Sequence, residues 1–164
     1  MLKHSAPHDS ETDEFKTFQE PQIAELIAAG QEMLAHPIEL LPEARAAVEA
    51  LAGDHSIVLI TKGDLLDQER KLAESGLWEF FDWVEIVSEK SPDVYARVFE
   101  THGEGPERSM MVGNSLRSDV VPAIGAGAWG VFVPHDLTWE LEHDEPPLGH
   151  ARYRELPDLG GLPD

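Results

Sequence analysis

Six residues of this chain stand at or near the ends of short apolar runs, and their types suit the binding of a phosphate group and a metal ion. They are Thr61, Lys62 and Gly63, then Lys90, then Asn114 and Asp119. Hydroxyl and backbone N–H groups bind phosphate oxygens, and a lysine offsets their charge. Carboxylate and amide oxygens are hard ligands of the kind that Mg²⁺ prefers. The set therefore indicates phosphoryl chemistry at a site that the fold has to assemble.

Apolar runs predict the strands of the fold, and helical periodicity predicts the elements that join them. Strands are expected at residues 56–60, 83–87, 109–112 and 129–133, with a weak one at 153–156. Helices are expected at residues 43–51, 65–74, 92–101 and 118–124. This alternation predicts an α/β protein with a parallel, three-layer sheet and right-handed crossovers. Because the carboxyl ends of such strands lie along one edge, the six residues are expected to converge there.

The charge balance disfavours two classes of partner. The 164 residues contain 32 acidic and 12 basic side chains, for a formal charge of −20. Such a surface repels the phosphates of nucleic acids and of anionic lipids, so neither a nucleic acid nor a membrane is expected as a partner. The chain has no cysteine and no long apolar stretch, and we expect a cytoplasmic protein. A small phosphate ester can still bind where a lysine or a metal ion cancels the field.

Three segments together form a pattern that is more specific than any one of them. Residues 57–64 read Ile-Val-Leu-Ile-Thr-Lys-Gly-Asp, Lys90 precedes a Ser-Pro pair, and residues 112–119 read Val-Gly-Asn-Ser-Leu-Arg-Ser-Asp. In this order the segments resemble the later motifs of the haloacid dehalogenase-like (HAD) superfamily of hydrolases, over roughly residues 37–135. The resemblance implies a Rossmann-like HAD core with a helical cap.

The resemblance also implies a role for each candidate residue. Thr61 and the backbone of Lys62 and Gly63 would bind phosphate, and Lys90 would neutralise it, with Thr61 and Lys90 counted as catalytic residues. A metal ion, Mg²⁺, would be held by Asp119 together with Asn114. The implied activity is that of a Mg²⁺-dependent phosphatase acting on a small phosphate monoester, which makes a small phosphorylated metabolite the expected partner.

The chain departs from the family pattern at two points. The fourth motif usually has an aspartate where Asn114 stands, which implies a weakened metal site. The first motif, an apolar strand ending in Asp-x-Asp that supplies the attacking aspartate, is absent from the sequence. That strand would normally lie between the strands that end at Thr61 and Val112. We therefore expect a truncated chain without the start of the core and most of the cap, impaired or inactive as a phosphatase.

The expected organisation has four parts, and the missing strand leaves part of the sheet unpaired. Residues 1–19 are a mobile tail, 20–36 the remnant of a helical cap, 37–156 the HAD-like core and 157–164 a tail. Strand edges beside the missing strand favour pairing with another chain, such as a second copy in a homodimer, or closing directly on each other. The alternative function is therefore a non-catalytic module that binds a phosphate ligand or a protein. A flavodoxin-like or receiver-like module shares the architecture, but no acidic cluster follows an early strand.

Plainer interpretations also exist for single residues. Lys90 alone is typical of a solvated surface lysine, and Asp119 of an acid that interacts with a helix dipole. Thr61 is compatible with a simple strand end, and Asn114 with a turn in the left-handed conformation. The acidic run at residues 140–145 is expected to be a solvated face or loop.

Overall fold

The chain divides into two units, and the second carries nearly all of the described structure. The computed structural model describes residues 25, 28, 37–135, 142 and 144–163. In the first unit, Met1–His36, only Glu25 and Ala28 are described, and both are helical and exposed. The predicted tail at 1–19 and most of the predicted cap remnant at 20–36 lie outside the described residues. The second unit is Pro37–Asp164.

Strands and helices alternate in the second unit, in the order that the apolar pattern predicts. The regular elements are α1 (Ala44–Leu51), β1 (Val58–Lys62), α2 (Leu65–Ser75), β2 (Trp83–Val87), α3 (Pro92–His102), β3 (Met110–Gly113), α4 (Val121–Gly125), β4 (Trp129–Phe132) and β5 (Tyr153–Glu155). Single 3₁₀ turns cover Trp78–Phe80, Pro106–Arg108 and Leu159–Gly161. No helix in these described ranges is long and apolar enough to cross a membrane.

Local capping explains where the two longest helices of the described part of the chain begin. The Asp64 carboxylate accepts a hydrogen bond from the backbone N–H of Asp67 at 3.2 Å, at the start of α2. The Ser91 hydroxyl accepts one from Val94 at 3.4 Å, and Pro92 fills the first position of α3. Both starts agree with the sequence prediction, because each cap satisfies an N–H group that lacks a partner inside the helix.

The predicted helix at 118–124 is wrong in its start and in its type. A π-helical turn, Leu116–Val120, comes first and runs directly into α4. The carbonyl of Ser115 accepts from the N–H groups of both Asp119, at 3.0 Å, and Val120, at 3.1 Å. A π-helical turn holds one more residue than an α-helical turn, and such turns are frequent at functional sites. Asp119 therefore lies inside a widened turn, beyond the reach of a simple helix-start prediction.

The strands form two separate parallel sheets. β1 pairs with β2, so that Thr61 lies opposite Ile86. β4 pairs with β3 on one side and β5 on the other. No strand pairing joins β1 to β3 within the described residues, the position at which a missing strand is predicted. The structure confirms the predicted parallel α/β class.

One apolar cluster packs against strands of both sheets. Its buried members come from β1, β2 and the helices α3 and α4, with Met111 of β3 packed against them. Helix α3 supplies the centre of the cluster, since Tyr95 and Val98 are fully buried and Phe99 is nearly so. Burial of apolar surface against a shared helix therefore holds the two sheets side by side, without hydrogen bonds between their strands.

Candidate functional site

A buried ion pair stands at the carboxyl edge of the two sheets. Lys90 Nζ lies 2.6 Å from Asp119 Oδ1, and the two side chains are only 13% and 7% exposed. Lys90 follows β2 of one sheet, and Asp119 follows β3 of the other. Removing one partner of such a pair leaves an uncompensated buried charge, which typically costs about 3–5 kcal/mol. The solvated-lysine interpretation of Lys90 is therefore wrong, whereas Asp119 does lie in the first turn of a helical segment, as the helix-dipole interpretation expects.

Gly113 leaves the space that the Asp119 carboxylate occupies. A Cβ atom built on Gly113 would overlap the carboxylate oxygen and lie 2.6 Å from Asp119 Cβ. The same carboxylate accepts a hydrogen bond at Oδ2 from the backbone N–H of Ser115, at 3.1 Å. The end of β3 thus has to be glycine for the aspartate to approach the backbone of its own turn.

Tyr95 ties the shared helix α3 to the π-helical turn. Its hydroxyl donates a hydrogen bond to the carbonyl oxygen of Ser118 at 3.0 Å, and the side chain is fully buried. Burial, and then the negative charge of Asp119, raise the pKa of the Tyr95 hydroxyl. The group therefore stays protonated and remains a donor to the turn.

The Thr61 hydroxyl is hydrogen-bonded within the turn that follows β1. It donates to the Gln68 side-chain oxygen at 2.6 Å, across the turn that contains Gly63. Gly63 has a φ of 145°, a conformation that L side chains rarely adopt. Within the described residues the Thr61 hydroxyl donates to Gln68, whereas the Lys90 ammonium group donates to Asp119. The structure thus brings Lys90 and Asp119 together and leaves Thr61 bonded to Gln68.

Glu142 is the residue that sequence reasoning missed. Its Oε2 accepts hydrogen bonds from the hydroxyls of Ser115, at 2.6 Å, and Ser118, and its Oε1 lies 3.6 Å from Lys62 Nζ. The two hydroxyls, and then Lys62, lower the pKa of the Glu142 carboxyl. The prediction that the acidic run is a solvated face or loop did not include these contacts of Glu142, whose side chain is 29% exposed. No local pattern connects this glutamate to the serines, so the sequence carries no signal for the contact.

The oxygen donors after β3 fit Mg²⁺ as a site with a single carboxylate. Asp119 offers a carboxylate, and Asn114 is an exposed residue beside it with a side-chain amide. No group of three or more Asp, Glu, His or Cys residues in the described ranges could hold a metal. Mg²⁺ is commonly bound through only one or two carboxylates, with water and substrate phosphate completing its shell. The donor chemistry fits the ion, and Lys90 shares the same carboxylate.

The fold and the site define a parallel α/β domain with charged and hydroxyl side chains gathered at its carboxyl edge. Residues 3–127 match the model of the haloacid dehalogenase-like hydrolase family. A haloacid dehalogenase-like family hydrolase from Xanthomonas campestris superimposes with a TM-score of 0.78 at 42% identity, covering 89% of this chain and 61% of that one. The chain belongs to the haloacid dehalogenase-like hydrolase family, as its motifs predict.

Two curated relatives match part of the chain. The glyceraldehyde 3-phosphate phosphatase of Methanothermobacter thermautotrophicus is 37% identical over 93 residues, which are 52% of this chain and 40% of that protein. The pyrimidine 5'-nucleotidase YjjG of Escherichia coli is 32% identical over 94 residues, which are 53% of this chain and 41% of that protein. The matched region thus spans less than half the length of either relative.

Replacing Gly113 with alanine should destabilise the fold because the new methyl group has to displace Asp119. We expect the free energy of unfolding to fall by roughly 1–3 kcal/mol, measured by chemical denaturation. Gly53→Ala is the matched control, since a Cβ there meets nothing within 4 Å. Its effect should stay within about 0.5 kcal/mol. Equal effects of the two substitutions would contradict the close approach of Asp119.

The stabilisation that the Glu142 carboxylate contributes should depend on pH. Its pKa is lowered by folding from an ordinary value of 4.5, so the contribution is complete above that pH and is lost as pH falls through the lower folded value. Wild type should therefore exceed Glu142→Gln in free energy of unfolding at neutral pH, by a margin that shrinks on acidification. Denaturation series at several pH values measure this, with Glu145→Gln as the control for loss of one acidic charge. A margin that is independent of pH would contradict it.

Proposed function

We propose that this chain carries the phosphate-binding and metal-binding part of a Mg²⁺-dependent phosphatase, and that it binds phosphate without hydrolysing a monoester. The observation that carries the proposal is the buried Lys90–Asp119 pair, at 2.6 Å, at the carboxyl edge of the sheets. A desolvated lysine beside a carboxylate provides, in one place, a positive charge for phosphate oxygens and a hard oxygen for a metal ion.

The proposed roles follow from where each group lies. Lys90 offsets the charge of a bound phosphate while it remains anchored to Asp119. The Thr61 hydroxyl donates a hydrogen bond to a phosphate oxygen in place of Gln68, and Gly63, which has no side chain, allows the phosphate to approach the backbone closely. Asp119 and Asn114 would hold Mg²⁺, which supplies positive charge for the phosphate oxygens when bound. These residues bind and orient the ligand, and none of them is a nucleophile.

A small phosphate monoester is the proposed ligand class. The two curated relatives are a glyceraldehyde 3-phosphate phosphatase and a pyrimidine 5'-nucleotidase, and the name of each relative indicates a small phosphorylated substrate. The formal charge of −20 opposes long polyanions such as nucleic acids. A small ester requires only the local positive charge of Lys90 and the metal ion.

Hydrolysis needs an attacking group that the 164 residues do not provide in the expected form. The sequence has no Asp-x-Asp segment, and the turn residues Thr61 and Asp119 are engaged as a donor and as a charge partner. Covalent catalysis by a carboxylate requires a nucleophile aligned with phosphorus. The chain therefore binds the phosphate monoester but does not hydrolyse it.

Mg²⁺ with inorganic phosphate should raise the melting temperature of the purified chain, because both ligands bind the folded state. Thr61→Val keeps the side-chain shape, removes the donor and should reduce the phosphate-dependent part of the shift. Thr101→Val is the matched control, since the Thr101 hydroxyl bonds only the Arg97 carbonyl of its own helix at 2.7 Å. Thermal unfolding of the three proteins, with and without ligands, measures this.

The same samples should show no Mg²⁺-dependent turnover of an aryl phosphate above background. Two results would contradict the proposal. One is phosphate-dependent stabilisation that Thr61→Val leaves unchanged. The other is measurable Mg²⁺-dependent turnover that Asp119→Ala abolishes. The first would place phosphate elsewhere, and the second would show that the chain is a complete catalyst.

A second candidate function is a non-catalytic interaction module. The observation that favours it is the division of the strands into two sheets, with the facing edges of β1 and β3 unpaired within the described residues. Unpaired strand edges present rows of N–H and C=O groups that attract another strand. A second copy of this chain is the proposed occupant of those edges.

If the edges pair between copies, native mass spectrometry should show a homodimer that dissociates on dilution. A Pro substitution at Val58 in β1 should weaken it, because proline removes a backbone donor from the strand. The Val58 N–H points away from β2, since the carbonyl of the preceding residue, Ile57, accepts from Trp83 of β2. Leu159→Pro, outside the strands, serves as the control. A strict monomer at high concentration with no ligand-induced stabilisation would count against the interaction module.

A further inference from the structure

Three donor groups surround the Glu142 carboxylate, and we call them the anion seat: Lys62 Nζ, Ser115 Oγ and Ser118 Oγ. Both hydroxyls donate to Glu142 Oε2, Ser115 at 2.6 Å, and Lys62 Nζ lies 3.6 Å from Oε1. The Ser115 hydroxyl oxygen in turn accepts from the Ser118 N–H at 2.9 Å, which sets its direction. An anion is therefore bound by hydroxyl and ammonium donors at this place in the protein.

The anion seat is separate from the Lys90–Asp119 pair. Ser115 faces both, since its backbone N–H donates to Asp119 at 3.1 Å while its hydroxyl donates to Glu142. The seat uses the Lys62 side chain, whereas the proposed phosphate site uses the Lys62 backbone. Its donors come from the end of β1 and from the turn after β3, which belong to different sheets. Two hydroxyls and an ammonium group are the donors that phosphate oxygens accept from.

Glu142 can leave the anion seat without opening the core. It belongs to neither sheet, and its side chain is 29% exposed, while that of Lys62 is 46% exposed. Asp119, by contrast, is 7% exposed and held by a buried lysine. An exposed ion pair contributes little net stability because both charges remain solvated. The two hydroxyl hydrogen bonds are the main contacts that a solute anion has to replace when it displaces Glu142.

We propose that Glu142 is an internal anion, and that the phosphate group of a small ligand displaces it from the anion seat formed by Lys62, Ser115 and Ser118. The seat is a second phosphate-binding position beside the proposed one. While the Glu142 carboxylate occupies the seat, anions that bind weakly are excluded from it. Glu142 then tunes the affinity for phosphate without contacting the Lys90–Asp119 pair.

Glu142→Gln should strengthen the binding of inorganic phosphate, because it removes the competing charge while keeping the shape of the side chain. We expect the dissociation constant to fall by about tenfold, measured by isothermal titration calorimetry without Mg²⁺. Glu145→Gln is the matched control, since it removes the same charge from a neighbouring exposed residue. Its effect should be small, because exposed charges are screened.

Two further substitutions locate the bound phosphate. Adding Ser118→Ala to Glu142→Gln should abolish the gain in phosphate affinity. Adding Thr61→Val should leave that gain unchanged. A gain that needs Thr61 and not Ser118 overturns the anion seat and supports the proposed phosphate site. A gain that needs Ser118 and not Thr61 supports the seat, even if the proposed function fails.

Equal gains from Glu142→Gln and Glu145→Gln, or no gain from Glu142→Gln, would overturn the proposal. If Glu142→Gln does not fold, Glu142→Asp replaces it in the same assay. Its carboxylate is one methylene shorter and reaches the seat less well, so phosphate should bind more tightly than to wild type. Unchanged affinity in Glu142→Asp would then reject the displacement.

Discussion

The buried ion pair between Lys90 and Asp119 is the interaction on which the rest of the site depends. Each charge is almost fully removed from water, so each needs the other to be held in place. The lysine follows a strand of one sheet and the aspartate follows a strand of the other, and no strand pairing joins those sheets in the described residues. The ion pair therefore links the two sheets at their carboxyl edge, and the apolar cluster around α3 links them in the interior.

Several neighbouring groups position the Asp119 side chain. Gly113 has no side chain where the carboxylate lies, the Ser115 N–H bonds its second oxygen, and Tyr95 fixes the backbone of the turn through the Ser118 carbonyl. The π-helical turn adds one residue to the loop, which lets Asp119 point back towards Lys90. Each of these is a short-range steric or hydrogen-bonding demand, and together they leave the aspartate one orientation.

Charge shapes what this edge can bind. The chain as a whole is strongly acidic, and yet its lysines at the ends of β1 and β2 meet carboxylates directly. Lys90 meets Asp119 in a buried contact, while Lys62 meets Glu142 in a solvated one. The difference in burial separates a permanent structural pair from one that a solute anion can enter. Under the proposed function, a phosphate ligand would bind beside lysines that each already have a carboxylate partner.

The sequence by itself determined the alternation of strands and helices, the α/β class, the starts of α2 and α3, and the family to which the chain belongs. These follow from local periodicity, local hydrogen bonding and motif spacing, which are all written within short stretches of chain. Tertiary structure alone decided that Lys90 and Asp119 form a shielded ion pair, and that Glu142 reaches Lys62, Ser115 and Ser118. Those outcomes depend on distances between residues far apart in the chain, which packing sets and which no local pattern of residue types encodes.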